Sequence, residues 1–154
     1  MRFAIEPATP EDLSPMALLL GQLFEQEADF HPDAAAQLRG LQQIHANPER
    51  GQLWVARAES SPSGGAVLGM VSLLWTTSTA LGSTAAWLED LVVDASVRGR
   101  GIGSALLDTA LAQAKARGVA RITLLTDASN ALAQNMYRKK GFEASQMIPL
   151  RRRL

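Results

Sequence analysis

The chain has 154 residues, 47% of them hydrophobic, with 15 basic and 15 acidic side chains and no cysteine, a size that suits one domain (1–154) able to bury its own core. The absence of thiols excludes a disulfide framework, a thiolate zinc site and a cysteine nucleophile. Net neutrality hides a segregation: residues 1–50 carry 3 basic and 8 acidic side chains, 51–97 carry 1 and 4, and 98–154 carry 11 and 3, so the last third favours an anionic guest and the first a cationic one.

Arg2 to Glu6 alternates Phe3 and Ile5 with polar neighbours and stops at Pro7, which predicts a first strand. Asp12 or Ser14 can cap a helix running to about Glu27, and a second helix is expected from Pro32 to about His45. Leu53 to Ala58 and Val67 to Trp75 read as strands joined by the linker-like run Ser60-Ser61-Pro62-Ser63-Gly64-Gly65. Trp87 to Asp94 is another strand. Beyond it, Gly103 to Arg117 places Leu106, Leu107, Ala110, Leu111 and Ala114 at helical spacing, with Gly118 as its stop signal. Arg121 to Thr126 is a strand, Asn130 to Lys140 a helix closed by Gly141, and Phe142 to Leu150 supplies the last strands. Antiparallel strands followed by βαβα make an α/β mixed sheet with helices on both faces. The apolar stretches Met16 to Leu20 and Leu91 to Val93 are far short of the ~20 residues of a membrane span. Glu6, Glu11 and Asp12 interrupt the start before a leader-like apolar run develops. A cytoplasmic protein with no membrane partner is expected.

The sharpest local feature is Arg98-Gly99-Arg100-Gly101-Ile102-Gly103-Ser104, between a strand and a strongly patterned helix. Glycines let backbone N–H groups converge, and a helix N-terminus adds partial positive charge, so the run suits phosphates. A Walker A loop would need Gly-Lys-Ser/Thr at its end, and a dinucleotide fingerprint a third Gly or Ala where Ser104 stands. Arg98-x-x-Gly101-x-Gly103 instead resembles the pyrophosphate motif, Arg/Gln-x-x-Gly-x-Gly/Ala, of the GCN5-related N-acetyltransferases (GNAT). Leu88-Glu89-Asp90-Leu91-Val92-Val93-Asp94 is similar to that family's fourth strand. Asn130-x-x-Ala133-x-x-x-Tyr137-x-x-x-Gly141-Phe142 is similar to its last helix and following strand. The element order matches from Phe3 onward, with the specific motifs between Trp87 and Phe142.

The resemblance implies a mostly antiparallel twisted sheet, split between strands four and five, that admits the pantetheine arm of acetyl-coenzyme A. Leu91, Val92 and Val93 would bond that arm and Arg98 to Ser104 (Gly99, Arg100, Gly101, Ile102 and Gly103 included) the diphosphate, with Asn130 and Asn135 as further cofactor contacts. Asn130 also reads as a helix cap. The acceptor is then a primary amine of a small molecule or peptide. An alkyl ammonium has a pKa of about 10.4, so a group must take its proton. Glu89 and Asp90 are the carboxylates at hand, on adjacent positions and so on opposite faces of a regular strand. The resemblance favours Glu89, because polyamine and diamine acetyltransferases of the family use the glutamate of a similar Leu-Glu-Asp run; a bulge would change which residue faces the acceptor. A backbone N–H near Leu91 or Val92 would hold the oxyanion. Tyr137, the only tyrosine, takes the position of the acid that protonates the leaving thiolate. Glu25, Glu27 and Asp29, with His31 and Asp33, lie where the family shapes its amine site.

His31 and His45 have no cysteine or nearby histidine to suggest a metal site, and no metal is expected. Arg151-Arg152-Arg153 forms a basic patch with Arg138, Lys139 and Lys140, or a solvated end. The competing reading is a non-catalytic acyl-coenzyme A binding or sensing module; Glu89 and Tyr137 together favour catalysis. An acetylating toxin acting on charged transfer RNA would be strongly basic, so no nucleic-acid partner is expected. A homodimer is compatible with the resemblance.

Overall fold

The computed structural model describes residues 1–59 and 64–154. Its elements are β1 (Phe3–Pro7), α1 (Leu13–Gln26), α2 (Ala34–Ala46), β2 (Gly51–Ala58), β3 (Val67–Ser78), β4 (Ser83–Val93), α3 (Ile102–Ala116), β5 (Arg121–Leu124) and α4 (Ala131–Lys139). The five strands form one sheet in the order β1-β2-β3-β4-β5. All neighbours are antiparallel except β4 and β5, which α3 joins as a parallel pair. The mixed sheet read from the sequence is therefore present. Residues 60–63 of the Ser/Gly-rich run lie outside the described residues.

Both faces of the sheet are covered because its central strands are apolar on both sides. On β3, Val71 and Leu73 join Leu106, Leu107 and Ala110 of α3, while Met70 joins Met16, Leu19 and Leu20 of α1 and Leu41 of α2. Each fully buried leucine of these clusters contributes roughly 1.5–3 kcal/mol. A buried ion pair fixes how α1 starts. Asp12 accepts from the Thr9 backbone N–H at 2.8 Å and from Arg57 Nη2 on β2 at 2.8 Å. Arg57 Nε also reaches Glu6 on β1 at 3.0 Å. Among the described residues, no helix is long and apolar enough to cross a membrane.

Three boundaries that matter to the site or the tail differ from the sequence reading, the first being β5, which ends at Leu124 rather than Thr126. β4 begins at Ser83, because Ser83 to Ala86 pair with β3 in a hairpin. Residues 142–150 form no strand. Phe142 packs on the α3 side of the core, but Met147, Ile148 and Leu150 are exposed, and Pro149 with three following arginines gives a sheet little to bury. The outer edge of β5 instead borders a groove of about 340 Å³ between α3 and residues 140–143.

Candidate active site

The sheet opens where the resemblance requires it. Pairing between β4 and β5 runs from Ala85 with Arg121 to Leu88 with Leu124 and stops there. On its other side β4 stays paired with β3 as far as Val93. Residues 89–93 therefore have no β5 neighbour along one edge, which leaves backbone polar groups there for another partner.

A bulge lies at the mouth of this opening. The β3–β4 register shifts between Met70 and Ser72, and Asp90 adopts φ 56°, unusual for a residue with a side chain. Such a conformation costs on the order of 1–3 kcal/mol and persists where surrounding packing imposes it. The extra residue inverts the alternation. Ala86 and Leu88 face α3, and beyond the bulge Leu91 and Val93 do so too, while Val92 faces α1. Glu89, between Leu88 and the bulge, points to the α1 face. The Asp90 carboxyl lies close to Ser72, which by alternation along β3 shares the face of Met70. The two carboxylates thus lie on one face of β4, where a regular strand would have put them on opposite faces.

Their surroundings are acidic. Burial, then the charges of Glu89 and Glu27, push the Asp90 carboxyl up to about 7, against a smaller pull from the Ser72 hydroxyl. Ser72 is itself buried, and its Oγ donates to the Glu89 carbonyl at 3.0 Å. Glu27, half-buried just past α1, is also raised, by burial and then by Asp127, Glu89 and Asp29; Arg151 acts the other way. Tyr137, on α4, is half-buried with its ring edge-to-face against Phe142 at 5.8 Å between centroids. Burial and then Glu27 raise the pKa of its hydroxyl, which stays protonated at neutral pH. Glu27, Glu89, Asp90, Asp127 and Tyr137 thus share one electrostatic neighbourhood. Glu25 is exposed on the last turn of α1.

The glycine run forms the N-terminal approach to α3. Gly99 and Gly101 have φ of 75° and 80°, and Gly101 is the N-cap, without a side-chain hydrogen bond. The first N–H groups of α3 have no intrahelical acceptor, and the helix end carries partial positive charge there. Arg98 Nε donates to the Val93 carbonyl at 3.1 Å, tying the loop to the end of β4. Gly69 permits the close packing behind it: a Cβ there would lie 2.9 Å from the Val92 carbonyl oxygen and 3.1 Å from Leu106. Asn130 caps α4, accepting from the Ala133 N–H at 3.1 Å, and Asn135 lies exposed beside Arg138.

Sequence reasoning missed Ser72, Asp127 and Gly69. Ser72 is a lone polar residue in an apolar strand, a signal that was available. Asp127 and Gly69 sit in ordinary turn and strand contexts and have none. Among the described residues, no three His, Asp or Glu side chains gather as a metal site.

Residues 18–142 match the Acetyltransferase (GNAT) family. A stretch of 52 residues is 46% identical to the mycothiol acetyltransferase of Beutenbergia cavernae, covering 34% of this chain and 18% of that protein. The likeness thus spans less than a fifth of the curated relative. A transcriptional regulator from Bacillus halodurans C-125 superposes with a TM-score of 0.79 at 25% identity, over 99% of this chain and 100% of the other. A possible acetyltransferase from Clostridium difficile 630 superposes with a TM-score of 0.84 over 100% and 99%, and at 15% identity it speaks for the fold alone. A sheet that opens beyond Leu88, a bulged fourth strand, a glycine loop before α3 and a family match over most of the length agree: the chain belongs to the GNAT family of acetyltransferases.

Proposed function

We propose that this protein transfers the acetyl group of acetyl-coenzyme A to a primary amine of a small molecule or peptide, by direct attack in a ternary complex. The observation that carries the reading is the bulge at Asp90, which gathers Glu89 and Asp90 on the face of Glu27 at the mouth of the β4–β5 opening. The glycine loop before α3 would take the diphosphate, and the unpaired edge from Leu91 to Val93 the pantetheine amides. Arg98 and Arg100 add positive charge beside them.

An ammonium acceptor must first lose a proton. The charge of Glu89 and Glu27 draws the ammonium in, and Asp90, poised near neutrality, has the better-matched affinity to take the proton. The amine nitrogen then attacks the thioester carbonyl carbon, forming the C–N bond. A backbone N–H of the bulge region, at Leu91 or Val92, holds the oxyanion. On collapse the C–S bond breaks, Tyr137, kept protonated by burial, gives its proton to the departing thiolate, and the nitrogen sheds its remaining extra proton to solvent, from which Tyr137 recovers its own. On this reading the base is Asp90 rather than Glu89, which the resemblance favours, and Glu89 attracts the cation.

The test is amine-dependent thiol release from acetyl-coenzyme A across polyamines, amino acids, aminoglycosides and peptides. Release with at least one amine is expected. Tight cofactor binding without release for any amine would favour the sensing module instead.

A further inference from the structure

The C-terminal arm ends on the acidic side of the site. Arg151 Nη1 lies 2.5 Å from Asp29 Oδ2, and its guanidinium sits 5.2 Å from the centre of the Phe30 ring. Arg153 Nη2 donates to the Asp29 carbonyl at 3.3 Å. Phe30 is held in place by Phe24 of α1, with ring centroids 5.3 Å apart. A carboxylate beside an aromatic face is a standard receptor for an organic cation. Here the chain fills it with its own guanidinium, 122 residues away in sequence.

Asp29 and Phe30 lie just past the end of α1 at Glu27, and Phe30 packs back on Phe24 of that helix, so the receptor adjoins Glu27, which feels Asp29 and Arg151 on one side and Glu89 on the other. The arm that delivers Arg151 has no secondary structure from residue 143 onward. Its ion pair is exposed, 48% for Arg151 and 67% for Asp29. Exposed pairs are weak and exchange with other cations.

Resting on the amine acetyltransferase reading above, we propose that Asp29 and Phe30 form a subsite for the second positive charge of a dicationic acceptor. Arg151 is its tethered competitor, displaced when that acceptor binds. The favoured substrate class is then a primary amine bearing a further ammonium or guanidinium, and the arm sets the concentration at which it is accepted.

The test compares the full chain with one ending at Leu150 and with Arg151→Gln, which guards against any folding effect of truncation, using 1,4-diaminobutane and butylamine as acceptors. Both changes are expected to lower KM for the diamine by about three- to tenfold, with a clearly smaller shift for butylamine, whose single charge meets only the loss of Arg151 near Glu27, and with the acetyl-coenzyme A KM and kcat unmoved. Asp29→Asn should raise the diamine KM. A diamine KM that is unchanged or raised in both arm variants, or an equal shift for both amines, overturns the proposal. An alanyl-lysine peptide run in parallel shows, by the larger shift, whether a small diamine or a peptide is the better source of the two charges. Should the full chain turn over no amine, the reading of the activity fails separately. Calorimetry with 1,4-diaminobutane then decides the subsite: tighter binding to the shortened chain supports it, and equal or absent binding to both chains overturns it.

Discussion

Asp90 combines two properties on which the proposed chemistry rests: a left-handed backbone and a carboxyl raised to about 7. Both follow from the bulge, which turns the side chain onto a face already occupied by Glu89 and watched by Glu27. Asp90→Asn is expected to lower kcat by about 10²–10⁴ and to abolish the rise of activity with pH near 7, as measured in a pH–rate profile. Glu89→Gln should act mainly on acceptor KM and keep that rise. Stability carries the opposite sign from catalysis. The folded state binds the Asp90 proton more tightly than the unfolded chain, whose value is 3.8, so stability from this group is full below about 4 and is lost as pH rises through 7. Thermal melts of Asp90→Asn should therefore show a higher Tm than the parent at pH 8 and little difference at pH 4. For Tyr137→Phe, the ring packing on Phe142 survives and only the proton is lost, so kcat should fall about 10²-fold while acetyl-coenzyme A affinity, by calorimetry, stays.

At the level of elements, the opening between β4 and β5 depends on how α3 enters. Gly101 caps the helix in a left-handed conformation, which costs a residue with a side chain roughly 1–2 kcal/mol. Gly101→Val is expected to weaken acetyl-coenzyme A binding about tenfold or more by turning the leading N–H groups away, with the acceptor KM unmoved. On the other side of the sheet, Arg57 ties β1, β2 and the start of α1 together through Glu6 and the buried Asp12. Burial alone would raise Asp12, but the Thr9 backbone N–H, the Arg57 guanidinium and the Thr9 hydroxyl outweigh it, so its carboxyl sits below the usual 3.8. Its contribution is therefore present at neutral pH and fades as pH falls below about 4. Arg57→Met strands that carboxylate and should cost about 2–4 kcal/mol in urea unfolding at pH 7, with a smaller loss at pH 3.

Across the whole molecule, local and non-local signals divide what the sequence reveals. The glycine run, the capping of α4 by Asn130, and the i, i+3, i+4 pattern of α3 are encoded within a turn or two, and each appears as read. The bulge is not encoded that way: strict alternation places Glu89 with Leu91 and Val93, and only pairing with β3 inserts the extra residue. The tail is the converse case. Phe142 to Leu150 carries enough apolar residues to suggest strands, but Met147, Ile148 and Leu150 stay exposed, and Pro149 with the arginines beyond it gives a sheet little to bury. The neutral total charge is resolved in the same way. The acidic first third contributes Glu27 and Asp29 to the acidic surroundings of Glu89 and Asp90, and the basic last third contributes Arg98 and Arg100 to the glycine loop.

The most direct measurement is thiol release from acetyl-coenzyme A by the parent chain, Asp90→Asn and Tyr137→Phe, with cofactor binding measured on the same three proteins. The expected result is amine-dependent release by the parent, falling about 100-fold or more in each variant at unchanged cofactor affinity. Equal release by all three proteins, or cofactor binding by the parent with no release for any amine, would contradict it.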